Sequence, residues 1–458
     1  MMKYDVVMGL EIHAQLNTRT KIFCGCKNEY KAKPNSNCCH VCLGYPNVVP
    51  RLNKAAVEKT ILAGLVVGCK INETTFFERK HYFYPDLASG FQTSQLRKPI
   101  CVGGGINGKR LNRIHLEEDA GKLIHDDLRS ETKVDYNRAG TPLIEIVTEP
   151  DFHSAQEVTD FLRELRSRLI FAGVSTCHME RGEMRCDVNI SLKPKGQTKL
   201  GNRVEIKNIN SFKFIERAIK YEINRQEGLL DDGETVTVET RKWDEDKGIT
   251  SSMREKEVAT DYRYFACPDV PAIAIGKIDM EIPMLAHEYR ERFTSEYGLS
   301  EYDADILTRS KIITDYYLEC VSLLNEPKKV SNWITTHVFK VMVDDEPPIS
   351  ASHLTTIIGL VESKAVTGNV AVKLFEDVIA TGKSPNEIIK EQGLTETVNN
   401  ETILKILKQL KAEKPQLMVD WQKDRTKVTQ FLIGQIMKET KGKAKPDTSK
   451  RFVEEVFG

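Results

Sequence analysis

Leu143-Ile-Glu-Ile-Val147 sets one carboxylate among four aliphatic residues. The run is short, rich in β-branched side chains and closed upstream by Gly140-Thr-Pro142, which reads as a strand. A lone Glu145 in such a strand must face solvent, pair with a cation or bind a metal. Working outward, Gly9-Leu-Glu-Ile-His13, Arg185-Cys-Asp-Val-Asn-Ile-Ser191 and Val204-Glu-Ile-Lys207 repeat the alternation of apolar and polar residues. In each, residues two apart share a face, so Glu11 joins His13, Asp187 joins Asn189 and Glu205 joins Lys207.

Helical patterns interrupt these strands without regular strand–helix alternation, so the fold class is α+β with a mixed sheet and not a doubly wound one. Ser154-Ala-Gln-Glu157 is a capping box before Val158, Phe161, Leu162, Leu165 and Leu169. A second helix is predicted from about Ser211 to Gln226. After about Pro283 the strand patterns stop and amphipathic helices take over, including one predicted over roughly Met418 to Lys438 with Trp421, Val428, Phe431, Leu432 and Ile436 on its apolar side. This divides the chain into an α+β domain over 1–290 with a metal hairpin at 22–45, a helical domain over 291–398 and a small helical tail domain over 399–458.

The 458 residues carry 66 basic and 66 acidic side chains, so any contact with nucleic acid must come from a local patch. No run of eighteen apolar residues and no secretory or transit pattern occurs, which predicts a protein of the cytoplasm, or of an organellar matrix, with no membrane partner. Of eleven cysteines, five fall between Cys24 and Cys42. Cys24-x-Cys26 and Cys39-x-x-Cys42 form two knuckles of the kind that closes tetrahedrally around zinc, with Cys38 and His40 as alternative ligands. A closed thiolate shell has no open position and predicts a structural role.

His115-Leu-Glu-Glu-Asp119 adds three carboxylates and an imidazole, a donor set that suits magnesium or manganese if it meets Glu11, His13 and Glu145. The plain alternative is a set of solvated strand faces. Gly103-Gly-Gly-Ile-Asn-Gly-Lys109 has the spacing of a phosphate-binding loop, but Arg110 follows where Ser or Thr would hold magnesium, so a glycine turn between strands is expected.

Read together, several motifs resemble the B subunit of the aspartyl/glutamyl-tRNA amidotransferases, the GatB family. They are Gly9-Leu-Glu-Ile-His13, Cys39-His-Val-Cys-Leu-Gly44, Arg79-Lys-His-Tyr-Phe-Tyr-Pro-Asp86, His115-Leu-Glu-Glu-Asp-Ala-Gly-Lys122, Val134-Asp-Tyr-Asn-Arg-Ala-Gly140, Arg185-Cys-Asp-Val-Asn189, Glu205-Ile-Lys-Asn-Ile-Asn-Ser-Phe212, Asp261-Tyr-Arg-Tyr-Phe265 and Gly442-Lys-Ala-Lys-Pro446. The resemblance implies a ligase component that uses ATP to phosphorylate the side-chain carboxylate of mischarged Glu-tRNA(Gln) or Asp-tRNA(Asn). Ammonia from a separate amidase subunit would displace the phosphate, with a further small subunit completing a heterotrimer. It puts Mg²⁺ ligands at Glu11, His13, Glu118 and Glu145, zinc at Cys24, Cys26, Cys39 and Cys42, and phosphate contacts within the motifs of Lys80, Lys207 and Arg263. His81, Ala266-Cys267 and Cys38 depart from the family pattern without touching these positions. The family's tail grips tRNA, which fits Lys438, Lys441, Lys443, Lys445, Lys450 and Arg451 here.

Two other readings compete. A non-catalytic zinc-containing RNA-binding protein would explain the cysteines and the basic tail, but not the carboxylate motifs. A self-sufficient small-molecule ligase would not explain the helical domains. Convergence of Glu11, His13, Glu118 and Glu145 in space separates these from the amidotransferase reading.

Overall fold

The computed structural model describes residues 3–30, 32–126, 129–207, 209–255, 262–276, 280–343, 345–393, 400–440, 444 and 446–458. Contacts divide the chain into two units, Met1–Ala286 and His287–Gly458.

The first unit is built on a ten-stranded mixed sheet. Across it run Ile249–Glu255, Glu239–Asp244, Val204–Lys207, Met184–Pro194, Tyr4–Gln15, Pro142–Thr148, Lys109–Glu118, Cys101–Val102 and Lys70–Ile71, with Gly105–Ile106 paired to Lys109–Glu118 off this path. The pairings along the path are antiparallel except that between Val204–Lys207 and Glu239–Asp244. Tyr4–Gln15 lies at the centre because its alternation gives it one apolar face, with Met8, Leu10, Ile12 and Ala14 fully buried. Ile144, Ile146, Ile114, Leu116, Val188 and Ile190 extend that face over the neighbouring strands.

Helices cover the apolar side. Lys54–Leu65 packs on Lys109–Glu118, Phe212–Asp231 on Met184–Pro194, and Ala155–Phe171 on Phe212–Asp231. Each starts at a side-chain cap: Asn53 accepts from Ala55 N, Ser154 from Glu157 N and Ser211 from Phe214 N. The Glu157 carboxylate bonds His153 N and Lys109 Nζ, so the box predicted at Ser154 closes one residue further upstream. The suspect glycine loop is a tight hairpin. Gly105 and Ile106 pair with Arg110 and Lys109 across Asn107 and Gly108, which take φ of 50° and 77° as a two-residue primed turn requires.

A separate three-stranded sheet joins Phe265–Ala266, Glu78–His81 and Phe91–Ser94. It brings the tyrosines of the 79–86 and 261–265 motifs together, although Asp261 itself lies outside the described residues.

The second unit is helical from Ala286–Ser295 to Pro446–Phe457. One core centres on the fully buried Tyr317 and runs from Phe293 to Ile389. Another gathers Ile403, Leu407, Trp421, Val428, Leu432, Ile436 and Phe457. The helix predicted over Met418 to Lys438 is two helices, Gln416–Lys423 and Arg425–Glu439. Asp424 interrupts it with extended backbone and caps the second helix by accepting from Lys427 N at 3.0 Å. Among the described residues, no helix is long and apolar enough to cross a membrane.

Candidate active site and metal centre

The face of the sheet opposite the helices is polar, and its register builds the site. His13 stands opposite Glu145 on one side and Arg185 on the other, and Glu145 in turn stands opposite His115. One row therefore reads Arg185, His13, Glu145, His115 across four strands. A residue on the same face two positions along Lys109–Glu118 is Glu117.

These side chains converge. His13 Nε2 lies 3.4 Å from Glu145 Oε2 and 3.7 Å from Glu117 Oε1. His115 Nε2 lies 3.4 Å from Glu117 Oε2 and 3.6 Å from Glu145 Oε2. Ser94 Oγ donates to Glu117 Oε2 at 3.0 Å, and Arg113 approaches the other oxygen of Glu145 at 3.9 Å. Burial disfavours the imidazolium of His13, but Glu145 and Glu117 outweigh burial and raise its pKa above the ordinary histidine value. Burial likewise opposes the charge of Glu145, yet His115, His13 and Lys80 hold its carboxyl well below the usual carboxylate range. One ligand atom each from His13, Glu117 and Glu145 lies within 4.8 Å of the others. Two carboxylates and an imidazole at that spacing fit a hard divalent cation such as Mg²⁺ or Mn²⁺.

Of the four positions expected to share the metal, the structure brings together His13 and Glu145. Glu118 points to the other side of its strand, where it accepts from Thr93 N at 2.8 Å and lines a small cavity with Lys21, Cys42 and Asp86. Burial pushes its carboxyl up to about 6. The pleat decides this: in two adjacent carboxylates only one can share the face of His115, and that is Glu117. Glu11 is on the polar face but one pleat along, where Asn189 Nδ2 donates to its Oε1 at 3.0 Å. The place of Glu117 on the face of His115 had a signal in the sequence, because His115-x-Glu117 mirrors the Glu11-x-His13 spacing.

Lys80 sits beside the cluster with Nζ 5.0 Å from the ring centre of Tyr262. Tyr82 and Tyr264 lie near the same acids, and burial followed by the charge of Glu117 raises both phenols. Lys207 lies further along the polar face, paired to Asp187 at 2.9 Å and Glu205 at 3.2 Å. Arg263 takes φ of 45°, and its carbonyl meets His81 Nδ1 at 3.2 Å. Among the described residues, Arg113 Nε, His115 Nδ1, Arg185 Nε and Asn189 Oδ1 are buried with no hydrogen-bond partner. These four open donors and acceptors share one sheet face, where a ligand could satisfy them.

The cysteine knuckles form a second centre. Sγ atoms of Cys24, Cys26, Cys39 and Cys42 all lie within 4.8 Å of one another, with Cys24–Cys42 at 3.6 Å and Cys39–Cys42 at 3.9 Å. All eleven cysteines are free thiols. The two alternative ligands go elsewhere: Cys38 donates to Asn137 Oδ1 and the His40 ring packs against Tyr45. Four convergent thiols with no open position fit a structural tetrahedral metal.

A mixed sheet with an acidic metal-competent face and a separate thiolate hairpin defines a domain with two candidate metal centres, followed in the chain by helical modules. Comparison with known proteins gives that class its family. The family model described as the GatB/GatE catalytic domain matches residues 6–281, and the GatB domain matches 315–456. The B subunit of the aspartyl/glutamyl-tRNA(Asn/Gln) amidotransferase of Caldicellulosiruptor saccharolyticus is 45% identical over 475 aligned positions, covering 99% of each chain. Proteins of the same name from Thermoanaerobacter sp. (strain X514) and Thermodesulfovibrio yellowstonii are 43% and 44% identical, covering 99% and 97% of each chain. The chain belongs to the GatB family, the B subunits of the aspartyl/glutamyl-tRNA(Asn/Gln) amidotransferases, which are components of a ligase-type enzyme.

Proposed function

We propose that this chain is the activating and transamidating component of a tRNA-dependent amidotransferase of the cytoplasm. Its substrates are Glu-tRNA(Gln), Asp-tRNA(Asn) or both, and it works with an amidase subunit and a small third subunit. The observation that carries the reading is the convergence of His13, Glu117 and Glu145 on the polar face of a domain that matches the family's catalytic model.

The substrate's side-chain carboxylate is a poor electrophile. Attack of its oxygen on the terminal phosphorus of ATP breaks the bond to the leaving ADP oxygen and forms an acyl phosphate. Ammonia then adds to the acyl carbon, inorganic phosphate departs with the bonding pair, and the nitrogen loses a proton to leave the amide. A bound Mg²⁺ supplies charge neutralisation on phosphoryl oxygens. His13, Glu117 and Glu145 would hold it, and His115 and Ser94 orient Glu117 by their contacts to it. Lys80 and Arg113 add positive charge beside the acids, and Lys207 and Arg263 are candidate phosphate contacts. Tyr82, Tyr262 and Tyr264 limit the access of water, which would hydrolyse an acyl phosphate. Glu11 and Glu118 stand outside the cluster, Glu11 bonded by Asn189 and Glu118 by the Thr93 backbone.

Cys24, Cys26, Cys39 and Cys42 would hold a structural zinc ion. The unit after Ala286 is read as a helical domain over 291–398 and a tRNA-binding tail over 399–458. Of the tail's basic residues, Lys441, Lys443 and Lys445 lie outside the described residues, and Lys438, Lys450 and Arg451 lie on described helices.

The test is reconstitution. The full-length chain supplied with ammonia, ATP and mischarged tRNA is expected to form amidated tRNA. With glutamine as nitrogen donor it is expected to form product only when the amidase partner is added. Glutamine-dependent product from the isolated chain would overturn the assignment.

A further inference from the structure

We infer that Lys21 is a positioning residue for the thiolate centre: its buried ammonium is the counter-cation of the metal-bound cysteines and ties that centre to the strand carrying Glu145. The inference rests on the zinc reading above.

Lys21 is among the largest fully buried side chains of the protein. An ammonium taken out of water demands partners for three donors and a compensating charge. Lys21 Nζ donates to Asn37 O at 3.0 Å, to Cys42 Sγ at 3.3 Å and to Tyr136 O at 3.4 Å. Among the described residues no carboxylate lies within ion-pair distance of it. The anion in direct contact with Nζ is therefore the Cys42 sulfur. Four thiolates around a divalent metal leave a net charge of about −2, so a lysine against the buried ligand offsets about half of it.

The contacts of Lys21 also cross from the knuckle to the catalytic strands. Tyr136 opens the loop that ends at Thr141, just before Pro142–Thr148 and its Glu145. That loop binds back through Ile22 N to Gly140 O at 2.8 Å and Asp119 N to Thr141 O at 2.8 Å, which pins the end of the strand carrying Glu117. Metal occupancy at the cysteines and the placement of the two catalytic acids thus share one lysine.

Three full-length chains decide it: wild type, Lys21→Met and Lys21→Arg. Zinc content of the wild type comes first, because absence of zinc there would remove the zinc reading itself. With zinc present, Lys21→Met is expected to release it to a chromogenic chelator at least about tenfold faster than wild type, and Lys21→Arg within about threefold. In the cobalt-loaded proteins the sulfur-to-cobalt charge-transfer band is expected to move to longer wavelength in Lys21→Met and to stay in place in Lys21→Arg. Unchanged release and an unchanged band in folded Lys21→Met would overturn the inference and leave the zinc reading intact. So would Lys21→Arg losing zinc as fast as Lys21→Met. If Lys21→Met does not accumulate as folded chain, amine acylation of the wild type decides. Lys21 is expected to label at least about tenfold more slowly in the zinc-loaded than in the chelator-stripped protein, and equal labelling overturns the inference.

Discussion

Glu145 faces His13 directly across an antiparallel pair, and Glu145 Oε2 lies 3.4 Å from His13 Nε2. Glu145 is the polar member of an otherwise apolar stretch and His13 belongs to the polar set of an alternating strand, and each offsets the cost of burying the other. The pairing needs no loop to hold it, because the register of the sheet does so.

Replacing Glu117 by Gln keeps shape and removes charge. Tested as ADP formation dependent on mischarged tRNA, Glu117→Gln and His13→Ala are expected to lose at least about 100-fold in rate. Glu118→Gln is expected to retain activity within about tenfold, since its contact is to Thr93 N and not to the cluster. A larger loss in Glu118→Gln than in Glu117→Gln would return the metal to the neighbouring residue.

Elemental analysis is expected to give one zinc per chain. Cys39→Ala is expected to lower the thermal midpoint and to loosen the hairpin over 22–45, read as faster hydrogen exchange there, because metal binding and local folding are linked. A full complement of zinc in Cys39→Ala would show that this sulfur is not a ligand.

Glu239 supplies a pH signature away from both centres. Burial opposes its charge, but its bonds to Ser252 and Arg241 and the charge of Arg225 keep its carboxyl below the ordinary glutamate value. A carboxyl depressed in the folded state stabilises above its unfolded pKa and loses that contribution as pH falls through the folded value. The stability difference between wild type and Glu239→Gln is therefore expected to be full at about pH 7 and to shrink below about pH 4. Denaturant unfolding on either side of that range measures it, and a difference that grows on acidification would contradict the assignment.

Removing residues 399–458 is expected to raise KM for aminoacyl-tRNA while the partner's glutamine hydrolysis is unchanged. The effect should weaken as salt rises, because contacts to phosphate release counterions. An equal KM at low and high salt would separate the tail from tRNA binding.

Much of the sheet was legible because its strands alternate cleanly. Leu10, Ile12, Ile144 and Ile146 announce one buried face, and the polar residues between them belong to the other. The choice between Glu117 and Glu118 was not legible from two adjacent carboxylates alone, since strand parity depends on where pairing begins. The approach of Tyr262 to Lys80 was beyond local pattern, because the Glu78–His81 strand pairs with Phe265–Ala266 far along the chain. In the helical unit the periodicity of Trp421, Val428, Leu432 and Ile436 was right about burial and silent about the break, which depends on one capping aspartate. The same periodicity put Phe431 on the apolar side, where it is 40% exposed.

The row Arg185, His13, Glu145, His115 draws one residue from each of four strands that the chain does not make in spatial order. During synthesis Tyr4–Gln15 emerges well before both of its hydrogen-bonding partners, Pro142–Thr148 and Met184–Pro194. Until then its two edges stay open, and an apolar strand with unpaired edges is prone to wrong pairing. Residue 148 completes the three strands that carry His13, Glu117, Glu145 and His115, while the other edge of Tyr4–Gln15 stays unpaired until Met184–Pro194 is made, so the site's strands are all present before the sheet around them can close.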